Sequence, residues 1–231
     1  MTNESADNSE ETSVAKYAWI AYAAPMAVFM IFTSALEPFF KSQYVWIYSA
    51  KILAITILLI TYRKVWAEEL RPSAKGFVWG LVVGLAVFAE WILLDKWIPY
   101  HHLGTRTALN PFVSIANPMH RALFIAVRFY GLALIVPIME ELFWRSFLLS
   151  YITNPEFRKL RLGEFSWGAF WAVAVMFGFS HPEWLAAIIC AAAYGLLLRK
   201  TKSLFACVVA HSVTNFVLGV FVLVTKDWKY W

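Results

Sequence analysis

Charge is what this sequence has least of. Asp, Glu, Lys and Arg together make up 15% of its 231 residues, against 61% hydrophobic and 18% aromatic, and the mean hydropathy is +0.60. Soluble domains are about one-quarter charged and about half apolar, so that class is excluded and an all-α, polytopic membrane protein is expected. Cysteine is nearly absent. Cys190 and Cys207 lie in apolar runs without a CxxC spacing, which excludes a disulfide or zinc-finger framework and leaves them as small packing residues. The formal net charge of +5 is not arranged as a basic face interleaved with exposed aromatics, so no nucleic-acid partner is expected. The N-terminus lacks the basic start and short apolar run of a signal peptide. Residues 1–16 read as a disordered acidic tail, and 17–231, without linker, repeat or low-complexity segment, as a single transmembrane helical domain.

Apolar stretches able to cross about 30 Å of hydrocarbon fall at 17–36, 44–62, 77–94, 122–150, 165–179, 182–198 and 204–224, the fifth and sixth being short. The expected fold is a bundle of about seven spans, with eight as the alternative. Arg63, Lys64, Arg71 and Lys75, then Arg158, Lys159 and Arg161, then Arg199, Lys200 and Lys202 all fall in loops on one side. The positive-inside rule makes that side, and the N-terminus, cytoplasmic in a multi-pass protein of the cell membrane. Residues 96–121, with Pro99, Pro111 and Pro118, read as an interfacial segment. Trp46, Trp66, Trp97, Trp184, Trp228 and Trp231 sit near span ends, where an aromatic belt is expected.

The fourth stretch breaks the apolar pattern at IVPIMEELFWRSF, where Glu140, Glu141 and Arg145 follow Pro137. Each ionisable group at the middle of a span costs about 2.5–3.5 kcal/mol on insertion scales, so an unpaired cluster opposes insertion and marks a functional site. Glu141 and Arg145 are one turn apart and can pair, whereas Glu140 is rotated about 100° away. FGFSH ends at His181, and HSVTN places His211 and Asn215 on one face of the last span. Ser180-x-x-Glu183 with Pro182 reads as a capping box that starts a helix at a buried break. Glu90 either lines the same cavity or pairs with Arg128, and His101 and His102 read as interfacial loop residues without a metal role.

In their order, EExxxR, FxxxH and HxxxN resemble the CPBP family of intramembrane proteases, which includes the type II CAAX prenyl endopeptidases. SLFACVVAHSVTN, residues 203–215, is similar to that family's last motif along its whole length. A finer likeness is to the CAAX-protease-related proteins associated with exosortase systems. The resemblance implies a catalytic core at about 122–224 and a glutamic-type endopeptidase without a cofactor. It implies that Glu140 and His181 activate water and that His211 and Asn215 stabilise the oxyanion, with Glu141 and Arg145 in support. The implied partners are the lipid bilayer and a membrane-associated or lipidated protein or peptide substrate. A zinc peptidase stays open as an alternative, because two His and a Glu match a catalytic zinc shell, although no HExxH is present. A non-catalytic scaffold or immunity protein is the alternative from another class. A proton-coupled transporter is disfavoured by the lack of an inverted repeat.

Overall fold

Residues 18–104 and 109–231 are described by a computed structural model, in which every regular element is helical. The acidic tail therefore lies outside the described residues. Seven apolar helices follow one another: α1 Ala18–Leu36, α2 Tyr44–Thr61, α3 Ala74–Trp97, α4 Pro118–Thr153, α5 Trp167–Phe179, α6 Trp184–Thr201 and α7 Leu204–Thr225. Among the described residues, six helices are long and apolar enough to cross a membrane, while the 13-residue α5 is shorter. The protein is thus a multi-pass helical membrane protein. The helices form two compact units that divide after Glu68.

In the first unit, α1 and α2 enclose an ion pair that hydropathy alone passes over. Lys51 Nζ lies 2.5 Å from Glu37 Oε1, and both side chains are buried. The Lys51 ammonium also donates to Thr33 and faces the Phe29 and Tyr48 rings at 4.7 and 5.0 Å. A buried charge survives in a span only when it is paired and hydrogen-bonded in this way.

The second unit holds α3 to α7. Serines and an asparagine start its helices as the sequence permits: Ser73, Ser166 and Ser203 each accept the backbone N–H three residues on. Asn117 accepts from Met119 and His120, with Pro118 in the first turn, so α4 begins before the expected 122 and takes the end of the interfacial segment. What remains of that segment includes one short helix, Pro111–Ser114.

The broadest packing in this unit joins α3 to α7. Gly76, Gly80 and Gly84 make it possible, since a Cβ on Gly80 or Gly84 would stand 2.7 or 2.5 Å from the carbonyl oxygens of Ala206 or Ala210. Small residues four apart let membrane helices approach backbone to backbone. Thr214 then donates to the Gly84 carbonyl at 2.8 Å and accepts from Tyr194. Gly84→Val is expected to force α3 away from α7 and cost about 1–3 kcal/mol, read as a lowered melting temperature in detergent. An unchanged melting temperature would mean that this contact is soft.

The end of α3 is tied to the C-terminal residues at Asp95, whose side chain is fully buried. Its Oδ2 accepts from Lys229 Nζ at 2.6 Å and from the Tyr230 hydroxyl, and its Oδ1 lies 2.8 Å from His102 Nε2. Burial, then the bond to Asp95, pushes the Tyr230 hydroxyl above its usual pKa and keeps it a donor. His102 lies in the loop where the sequence places it, beside the Asp95 carboxylate.

Candidate active site

Pro137 shapes the helix that carries the glutamates. It has no N–H, and its ring conflicts with the carbonyl four residues back in an α-helix. The chain answers by widening: Gly131–Ile135 is a π-turn in which the Val136 N–H reaches back five residues to the Gly131 carbonyl. The carbonyl of Leu132 then loses Val136 as a donor, and Pro137 offers none. Asn215 fills that place, its side-chain Nδ2 donating to Leu132 O at 2.9 Å. A second π-turn, Leu142–Leu148, follows Glu141 and contains Arg145. The glutamates thus occupy the short α-helical piece Val136–Glu141 between two π-turns, a distortion common at functional sites.

His211, about 10 Å along α7 from its first residue at 1.5 Å per residue, inserts between the two carboxylates. Its Nδ1 lies 2.8 Å from Glu141 Oε1, and its Nε2 lies 3.9 Å from Glu140 Oε2. The same Glu141 oxygen lies 3.2 Å from Arg145 Nη1. The pairing expected from the i,i+4 spacing is therefore present, with His211 as a second partner. A carboxylate only accepts, so Nδ1 carries the proton in this contact and Nε2 is the nitrogen turned to Glu140. Burial separates the neighbours as well: Glu141 has no exposed surface, while Glu140 keeps 6%. The Arg145 guanidinium lies over the Phe177 ring at 4.6 Å and near Tyr194 at 5.4 Å, which holds it in place by cation–π contact.

His181 arrives from α5. Thirteen residues span about 20 Å, less than the hydrocarbon thickness of about 30 Å. His181 Nδ1 lies 2.9 Å from the Phe177 carbonyl, which can only accept, so Nε2 is the proton-accepting nitrogen of the neutral ring. Phe177 is the shared wall, with its ring centroid 4.6 Å from that of His181 and 6.5 Å from that of His211. Trp91 from α3 closes the other side of His181 edge-on at 5.8 Å. Glu183 is buried, His181 and Pro182 are half-buried and Ser180 is exposed. The loop after α3 covers this turn: Leu103 N–H donates to Pro182 O at 2.9 Å, and Trp184 Nε1 donates to His101 O at 2.8 Å.

Two expectations fail here. The Ser180–Glu183 capping box does not form: the Ser180 hydroxyl turns back to the Phe177 carbonyl at 2.7 Å, and Glu183 occupies the N-cap of α6 without a side-chain cap bond. Nor does Glu90 pair with Arg128. Both Glu90 oxygens are buried without a hydrogen-bond partner, at the edge of a groove between α3 and α6. Arg128 lies over the Trp231 ring instead. The histidine-to-Glu141 contact and the Leu132–Asn215 bond were not read from the sequence. Pro137, five residues after Leu132, was the visible signal for the second. Among the described residues, no group of three or more His, Cys, Asp or Glu is arranged to hold a metal ion. Glu141 is committed to Arg145 and His211 and is not a free metal ligand.

No curated protein and no solved structure matches the chain. A family model does match: residues 122–217 correspond to the family described as Type II CAAX prenyl endopeptidase Rce1-like. The matched segment contains Glu140, Glu141, Arg145, His181, His211 and Asn215. Over that segment the chain is similar to the CAAX-type intramembrane proteases, the family its three motifs resemble.

Proposed function

We propose that this protein is a glutamic-type intramembrane endopeptidase that hydrolyses a peptide bond in a membrane-associated or lipidated protein or peptide. The observation that carries the reading is His211 seated between the two glutamates, bonded to Glu141 and turned toward Glu140 across 3.9 Å. Glu140 is the general base: it takes a proton from water, and the hydroxide attacks the scissile carbonyl carbon. His181, with Nε2 as acceptor, positions that water. As the carbonyl becomes an oxyanion, His211 acts as the imidazolium, with Nδ1–H held by Glu141 and Nε2–H donating to the oxyanion, and the second amide hydrogen of Asn215, the first being held by Leu132 O, supplies the other donor. Collapse breaks the C–N bond, and the leaving amine recovers the proton from Glu140. Glu141 and Arg145 touch no reacting atom. They hold His211 in register and neutralise each other within the helix. The protein works in the cell membrane with its N-terminus in the cytoplasm, in line with the basic loops.

This chemistry uses no metal. Purified protein in proteoliposomes, given membrane-anchored and lipidated peptides, is expected to cleave them at a single bond seen by mass spectrometry. The rate is expected to be unchanged by chelators. Cleavage that is lost on chelation and restored by zinc would transfer the site to the zinc-peptidase reading.

A further inference from the structure

Away from the paired glutamates, α3 and α6 bound a groove with a cavity of about 380 Å³. Its lining includes Trp79, Val83, Ala86 and Ala193, with Glu90 at one end and Lys200 at the other. The exposed side chains of Val82, Ile189 and Leu196 continue it outward, and none of them bears a polar atom. Both oxygens of Glu90 are buried without a hydrogen-bond partner. Such a carboxylate within a span is costly, and residues of this kind pair with a partner inside the membrane. Lys200 at the other end lies 3.8 Å over the Trp79 ring, and Trp79 precedes Glu90 by eleven positions, about 16 Å of helix.

We propose that this groove docks a membrane-spanning helix of a partner protein that bears a basic residue at the depth of Glu90. An apolar channel of helical length with small side chains at Ala86 and Ala193 suits a third helix packing against two. The Glu90 carboxylate has two unsatisfied acceptors, the complement of an ammonium or guanidinium group on that helix. Lys200 orients the occupant by favouring an acidic residue about eleven positions from the basic one, about 16 Å away along a parallel helix. The inference concerns recognition and stands whether or not the paired glutamates cleave a peptide.

The test uses the full chain in nanodiscs and two labelled synthetic membrane helices, identical except for Lys or Leu at the centre. Binding is read by energy transfer. The Lys helix is expected to bind about tenfold more tightly, the ratio that an interhelical polar pair typically supplies. Glu90→Gln should reduce that ratio to one, and Ala193→Phe, which fills the groove and leaves Glu90 intact, should abolish binding of both helices. Equal binding of the two helices to the unaltered protein would overturn the proposal. So would a Lys preference that survives Glu90→Gln, or a bound lipid that neither helix displaces. If Glu90→Gln does not fold, the comparison of the two helices on the unaltered chain and on Ala193→Phe still decides.

Discussion

Replacing Glu140 by Gln is expected to lower hydrolysis roughly 10²- to 10⁴-fold, the usual worth of a positioned general base, while the melting temperature in detergent stays close to that of the unaltered protein. Gln keeps the shape of the side chain and removes only the ability to take a proton. Glu140 stands 3.9 Å from His211 Nε2, beyond hydrogen-bond length, so its charge does not fix the imidazole. Glu141 does that from the opposite ring nitrogen at 2.8 Å. Activity and stability should therefore separate at this position. Cleavage at the full rate by Glu140→Gln would remove Glu140 from the chemistry.

The two acidic neighbours were distinguishable in the sequence because charge in an apolar run is costly and helix geometry gives only one of them Arg145. The arrangement around them was less legible. A helical wheel assumes 3.6 residues per turn, and Pro137 breaks that assumption on this helix. Once Gly131–Ile135 opens into a π-turn, the Leu132 carbonyl becomes an acceptor that α7 must satisfy. Contacts between helices distant in the chain, such as His211 with Glu141, carry no spacing signal. The capping box at Ser180 failed for a local reason, since a serine hydroxyl can donate back to a helix carbonyl as readily as it can accept from the next helix. The Lys51–Glu37 pair was passed over because one lysine scarcely lowers the hydropathy of an eighteen-residue helix. Spans, by contrast, were placed to within a few residues, because length and apolarity dictate them.

Glu141→Gln should act on stability first. Arg145 is 2% exposed, its terminal nitrogens have no hydrogen-bond partner, and its counter-charge is Glu141. Removing one member of a buried pair leaves the other uncompensated and typically costs about 3–5 kcal/mol. Gln retains an oxygen that can accept from His211 Nδ1, so the substitution isolates the loss of charge from the loss of the histidine contact. Arg145→Met alone leaves Glu141 negative beside His211. Combined with Glu141→Gln, it leaves no stranded charge, and the Met side chain keeps apolar contact with Phe177 and Tyr194, the rings that the guanidinium now faces. The double substitution is therefore expected to be less destabilising than either single one. The cycle should give a coupling energy at or above the upper end of the usual 0.5–3 kcal/mol range (about 3 kcal/mol) for contacting residues. Reversible unfolding of the four proteins in mixed micelles measures it. Additive losses would show that Arg145 and Glu141 are held independently, and would leave the Phe177 and Tyr194 rings as the principal support of the guanidinium.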